Sequence, residues 1–290
     1  MAAKTPARQR DSRVIDARQR QGEVDHGAND CLPIRAHQYA VFDEHASLPG
    51  SVEREDMIAA ALRGYHVLTF DGPGQGRVLI QDGVLMRPDW ETVVRAVVDI
   101  ALTLPGIDHS RIALAGWSFG GYLAPRAASG EPRLAALIAD PGQWDLIEAL
   151  RAAFPRLGVP TEVAQELPDV EAKLLEPAFA AIRSDPQLNW TFVQRGLMVH
   201  GVDTVMDYLR VCVGYRLSDR IANIRCPTLV TQAESDPVAA RAGRLYDALA
   251  CPKTFIRFTA AEGAGDHCEA SARSVYFQRA YDWLDGVLAV

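Results

Sequence analysis

Long apolar runs are what this 290-residue sequence most plainly lacks. No stretch approaches the ~20 consecutive apolar residues that cross a bilayer, and no apolar h-region suggests secretion. The expectation is therefore a cytoplasmic protein without a membrane partner. Cysteine is scarce: Cys31, Cys212, Cys226, Cys251 and Cys268 are odd in number and scattered. Without C-x-x-C spacing they fit neither a disulfide framework nor a structural zinc site, so free thiols are expected. Positive charge is in deficit, with 30 Lys and Arg against 37 Asp and Glu and a net charge of −7. That leaves no basic field for nucleic acid or an anionic membrane surface. No internal repeat appears at solenoid or propeller periods.

One region runs against this balance. Lys4, Arg8, Arg10, Arg13, Arg18 and Arg20 outnumber Asp11 and Asp16 with almost nothing apolar between them. Such a stretch cannot bury enough surface to fold, so residues 1–38 are expected to form a polar, poorly ordered arm.

What the rest of the chain has is alternation. Five short apolar runs stand out: Tyr65 to Phe70, Arg111 to Ala115, Leu134 to Ala139, Thr228 to Gln232 and Thr254 to Phe258. Helical periodicity marks Trp90 to Leu104, Phe119 to Ala128 and Ser271 to Val287. Strands apolar on both faces and separated by amphipathic helices imply an α/β fold, a mostly parallel sheet flanked by helices. Ligands then bind beyond the carboxyl ends of the strands. From Gln143 to Asn223 only helix-like stretches occur, punctuated by Pro155, Pro160, Pro168 and Pro186. The expected organisation is a core of residues 39–142 and 224–290, with residues 143–223 inserted as a helical cap that shapes the pocket.

The strongest local signal is Gly116-Trp117-Ser118-Phe119-Gly120-Gly121, a G-x-S-x-G motif between an expected strand and an expected helix. In a nucleophile elbow the serine occupies a strained turn, and flanking glycines are needed because side chains there collide with the strand and helix. The same turn sets the Phe119 backbone N–H at a helix N-terminus, where it can donate to a developing oxyanion. A serine hydroxyl needs a base and a group that orients the base. His267 follows the last expected strand on a glycine-bearing loop and is the best placed of seven histidines. Asp236, after Thr228 to Gln232, is the leading orienting acid, with Glu234 as its rival. Asp266 suits the role less, being covalently adjacent to the histidine it would have to face. Cys268 follows His267, but adjacent side chains point apart on most backbones.

With those residues placed, the stretch from Gly64 to Leu288 resembles the α/β-hydrolases. It is most similar to the branch of 2,6-dihydroxypseudooxynicotine hydrolase and related cap-bearing serine hydrolases. The resemblance rests on FDGPGQG (Phe70 to Gly76), GWSFGGYLAPRAA (Gly116 to Ala128), ADPGQWD (Ala139 to Asp145), AESDP (Ala233 to Pro237) and EGAGDHCE (Glu262 to Glu269). It implies an α/β-hydrolase fold and a triad of Ser118, Asp236 and His267. It also implies substrates with an activated carbonyl, cleaved as by an esterase or, in some members, at a carbon–carbon bond beside a ketone. One departure stands out. Relatives carry a Gly-Gly turn that supplies a second oxyanion donor, whereas this chain reads Val41-Phe42-Asp43-Glu44-His45-Ala46-Ser47, with Gly50 the nearest glycine. Losing one such donor costs about 3 to 4 kcal/mol of transition-state stabilisation.

Two readings of function follow. The first is a serine hydrolase forming an acyl-enzyme on a small carbonyl compound, needing no metal or organic cofactor. Trp144, Trp190, Phe192, Tyr208 and Tyr215 are candidates to line a pocket for an aromatic substrate. The second, drawn from the missing Gly-Gly, is a non-catalytic binding protein that keeps the fold with an incomplete oxyanion hole. A homodimer is compatible with either.

Overall fold

Each strand-forming run is followed by a stretch long enough to cross back over the sheet, so successive strands can pair in parallel. They do so throughout. In this computed structural model, which describes residues 38–43 and 52–288, the strands are β1 (Gln38–Asp43), β2 (Tyr65–Phe70), β3 (Ile112–Trp117), β4 (Ala136–Asp140), β5 (Thr228–Ala233) and β6 (Lys253–Phe258). The sheet order is β2-β1-β3-β4-β5-β6, every neighbouring pair parallel. Residues 1–37 of the expected arm, with Cys31, and the Glu44–Ser51 stretch lie outside the described residues.

The five expected strands are present, their ends displaced by at most a residue or two. The sixth, β1, was not among them. It pairs with β2 on one side and β3 on the other, so the chain reverses its direction of travel across the sheet there. In open parallel sheets a reversal of this kind opens a crevice at the carboxyl ends of the strands.

Side-chain alternation sorts the core into two layers. Ile112 and Leu114 of β3 pack on one face with Val94, Val98 and Leu123, while Ala113, Ala115 and Trp117 pack on the other with Tyr276, Tyr281 and Leu284. The first face is covered by α3 (Trp90–Ala101) and α4 (Gly120–Ala128), which follow α1 (Val52–Leu62) and the short α2 (Gly76–Ile80). In α3, Trp90, Val94, Val98 and Ala101 form one buried stripe at helical spacing. The second face is covered by the C-terminal helix Arg273–Leu288, whose bulky Tyr276 and Tyr281 fit against the small alanines of β3.

Between β4 and β5 the chain leaves the sheet and is helical, including Leu146–Ala153, Glu176–Ser184, Trp190–Leu197 and Val205–Cys212. Phe154, Leu167, Leu175, Ile182, Phe192 and Leu209 give these helices a separate apolar cluster. Trp190–Leu197 is wound as a π-helix, a wider coil that is frequently found at functional sites. No helix among the described residues is long and apolar enough to cross a membrane.

Candidate active site

Ser118 stands one residue past β3 with φ +53°, a left-handed conformation that a residue with a Cβ adopts only under constraint. The constraint is visible on both sides. The Ser118 N–H donates to the Asp140 carbonyl at 2.8 Å, and the Gly121 N–H donates back to the Ser118 carbonyl at 2.9 Å. The Gln143 amide also donates to that carbonyl. A Cβ at Gly116 would stand 2.2 Å from the Gly120 carbonyl oxygen, and one at Gly121 would stand 1.9 Å from the Pro141 oxygen. Glycine at these two positions is therefore what allows strand, turn and α4 to meet at the serine. Phe119, the N-cap of α4, orients its peptide at the positive end of that helix.

The expected partners converge on Ser118 from two other strand ends. The Ser118 hydroxyl donates to Nε2 of His267 at 2.9 Å, and Nδ1–H of His267 donates to Oδ2 of Asp236 at 2.8 Å. Asp236 follows β5, and its other oxygen accepts from the Val238 N–H at 2.8 Å, which fixes the carboxylate plane. Its carboxylate is fully buried, whereas the His267 side chain is 43% exposed and opens to the crevice. Partial burial opposes protonation of His267. The hydrogen bond and charge of Asp236, helped by Asp140, outweigh it and raise the imidazole above its ordinary 6.5.

The alternative acids are occupied elsewhere. Glu234 accepts from Arg257 at 3.3 Å and from the Ala260 N–H at 2.9 Å. Asp266 accepts from the backbone and hydroxyl of Ser271 at 3.0 and 2.7 Å, capping the turn after His267. The Cys268 thiol, buried 3.6 Å from Nε2 of His267, is pushed well above its ordinary value by burial, so it stays protonated. Cys212, Cys226 and Cys251 are free thiols as well.

Beneath the histidine loop lies a charged cluster that the sequence reading did not assign. Arg273 is buried, donating to Asp56 at 2.6 and 2.7 Å, to Asp140 at 3.1 Å and to the Cys268 carbonyl at 2.6 Å. Asp140 also accepts from the Thr231 hydroxyl at 2.8 Å. Cys268 and Glu269 both have positive φ, at +52° and +50°, so the segment carrying His267 is held in place by Arg273 despite backbone strain. Glu269 is fully buried and lies 3.6 Å from Arg273. Burial, reinforced by the negative charge of Asp140, raises it far above the ordinary carboxylate range against the pull of Arg273.

Above Ser118 a cavity of about 180 Å³ is lined by Phe119, Gln143, Arg195, His200 and Tyr208 among others. Of the five aromatic candidates from the sequence, only Tyr208 lines it. Trp144 and Tyr215 belong to the core under α4, Phe192 to the apolar cluster of the helical insertion, and Trp190 is 45% exposed. Large aromatics at helical spacing bury most area by joining a core, as Trp144, Tyr215 and Phe192 do. Arg195 and His200 carried no sequence signal, whereas Gln143 sits inside the ADPGQWD motif. Among the described residues no group of three or more His, Cys, Asp or Glu side chains is placed to hold a metal ion.

Comparison with known proteins places the fold. A family model described as the alpha/beta hydrolase family matches residues 37–277. Hydrolase acrC of Aspergillus aculeatus is 33% identical over 78% of this chain and 55% of its own length. The 20-hydroxy-prefusarin hydrolase FUS2 of Gibberella moniliformis is 30% identical over 96% of this chain and 71% of its own. The crystal structure of 2,6-dihydroxy-pseudo-oxynicotine hydrolase superposes with a TM-score of 0.64 at 25% identity, covering 87% of this chain and 61% of that one. The chain thus spans little more than half the length of some relatives it matches. With the family model covering most of its length, the chain belongs to the alpha/beta hydrolase family.

Proposed function

We propose that this chain is a serine hydrolase that cleaves a small carbonyl compound through an acyl-enzyme. The observation that supports this most is the unbroken hydrogen-bond line from Ser118 through His267 to Asp236, at 2.9 and 2.8 Å, opening into a cavity. The hydrolase names of its relatives point the same way.

In the reaction, Ser118 Oγ attacks the substrate carbonyl carbon while its proton passes to Nε2 of His267. Asp236 holds the Nδ1–H tautomer and stabilises the imidazolium without itself taking the proton. The tetrahedral oxyanion draws on the Phe119 N–H at the α4 N-terminus. Collapse expels the leaving group, which takes the proton from His267. A water, deprotonated by the same imidazole, then attacks the acyl-serine and returns Ser118. Esters, amides and activated carbon–carbon bonds beside a ketone are all open to this machinery.

A fluorophosphonate probe tests the assignment directly. Labelling is expected in the parent protein and absent from Ser118→Ala, together with loss of at least about 10⁴-fold in turnover of an activated acyl ester. Undiminished labelling of Ser118→Ala would remove Ser118 from the role.

A further inference from the structure

We propose that Arg195 is the anion-recognising residue of the cavity above Ser118, and that the carbonyl compound accepted there carries a carboxylate. This deepens the proposed function and rests on it for the identity of the reacting carbonyl.

Arg195 is the single charged side chain among the residues lining the cavity. Its guanidinium forms no ion pair or hydrogen bond with any described residue. The two arginines that are buried among the described residues are treated differently. Arg126 is clamped by Glu91 at 2.8 and 3.0 Å, and Arg273 by Asp56 and Asp140. Arg195 is half-buried at the cavity wall, and partial burial without a counter-ion works against its charge.

No neighbour in the cavity supplies the missing negative charge. Tyr208 is held as the neutral phenol by burial. His200 donates from Nδ1 to the Gly196 carbonyl at 2.8 Å, and burial, with Arg195 beside it, keeps its ring neutral. Gln143 is neutral and already engaged with the Ser118 carbonyl. The cavity therefore presents one unmatched positive charge within walls that are otherwise neutral.

Its position suits recognition. Arg195 projects from the π-helix Trp190–Leu197, next to Gly196, where a Cβ would stand 2.9 Å from the Thr191 carbonyl and 3.5 Å from the Tyr208 ring. The glycine lets that ring lie against the helix beside the guanidinium. The charge also reaches the reacting centre, since it opposes protonation of His267. A planar guanidinium pairs with a carboxylate through two parallel N–H bonds, which fixes orientation as well as charge. A cavity of about 180 Å³ allows only a short spacer between that carboxylate and the carbonyl at Ser118.

The test is equilibrium binding to Ser118→Ala, so that turnover does not interfere, with phenylacetate against its neutral counterpart phenylacetamide. Phenylacetate is expected to bind at least about tenfold more tightly. That preference should vanish in Ser118→Ala/Arg195→Gln and return in part in Ser118→Ala/Arg195→Lys, with circular dichroism showing each variant folded. Equal binding of the two probes, no binding of phenylacetate, or a preference that survives Arg195→Gln overturns the proposal. Fluorophosphonate labelling of the parent protein separates the two readings. Labelling with no carboxylate preference defeats the role of Arg195 alone, and a preference without labelling defeats the serine hydrolase.

Discussion

His267 donates its Nδ1–H to Asp236 at 2.8 Å, while Glu234, two residues earlier on the same loop, is bound by Arg257 and the Ala260 amide. The two carboxylates should therefore separate cleanly on substitution. Asp236→Asn keeps the shape but favours the wrong imidazole tautomer, and a fall of about 10⁴-fold in kcat is expected. Glu234→Gln leaves the histidine untouched and should change kcat/KM by no more than about threefold, since surface substitutions of this kind shift energies by ~0.5 kcal/mol. Steady-state kinetics on a chromogenic ester decides between them. A large loss in Glu234→Gln with little in Asp236→Asn would reverse the assignment.

The same pair sets the pH profile. As the proposed general base, His267 must be neutral to accept the serine proton, and the folded protein raises it above 6.5 because Asp236 outweighs burial. Activity should accordingly fall in acid with an apparent pKa above 6.5. In Asp236→Asn the limb should move to lower pH, because burial and Arg195, which both oppose protonation, then act alone. Stability runs the opposite way. A raised histidine pKa contributes stability that is full below the unfolded value and is lost as pH rises through the folded one. The margin of the parent over His267→Gln should thus be greatest in acid. A kcat/KM profile and pH-dependent thermal unfolding report the two effects, and an acid limb below 6.5 would contradict the first.

The legible part of this site was the part written in local chemistry. The elbow at Ser118 needs Gly116 and Gly121 for steric reasons, so the motif carries its own geometry. Asp236 and His267 follow strands whose apolar runs are unmistakable, and strand ends are where a parallel sheet presents its loops. The strand β1 was less legible because its six residues, QYAVFD, give little periodicity and pair only across the sheet. Arg273 and Glu269 were invisible for a different reason. Their importance comes from contacts with Asp56 and Asp140, distant in sequence, and nothing in the C-terminal helix pattern marks a buried arginine. Arg195 looks like an ordinary charged position on a helix until the π-turn directs it to the cavity. The stretch after Asp43 that stands where relatives carry the Gly-Gly turn lies outside the described residues.

The elbow's steric demand gives a stability prediction with an internal control. At Gly121 an added Cβ would meet the Pro141 carbonyl oxygen at 1.9 Å, and that neighbour is backbone and cannot swing away. Gly121→Ala should cost about 3 kcal/mol or more in urea unfolding and abolish probe labelling even where the chain remains folded. Gly243, in the helix Ala242–Ala248, has nothing within 4 Å of the same added atom. Gly243→Ala should stabilise by about 0.5 to 1 kcal/mol, the helix preference of alanine over glycine. Equal effects at the two sites would mean that the close approach at Gly121 is not what holds the turn.

Glu269 offers the most demanding test, because its prediction changes size with pH. The carboxyl is fully buried, and burial, helped by the neighbouring carboxylate of Asp140, holds it in the protonated form. In the unfolded chain it ionises near 4.5. With the folded pKa above the unfolded one, the fold binds the extra proton, so its stability contribution is full below 4.5 and declines as pH rises towards the folded value. Glu269→Gln keeps the shape and has no proton to lose. It should match the parent near pH 4 and become the more stable protein as pH rises, by about 1 to 3 kcal/mol at mildly alkaline pH. Urea unfolding at several pH values measures the difference. A parent that instead gains on Glu269→Gln as pH rises through 4.5 would show that the carboxyl is ionised in the folded protein with Arg273 as its counter-ion, and a constant offset would show that folding does not shift it; either result contradicts the protonated carboxyl.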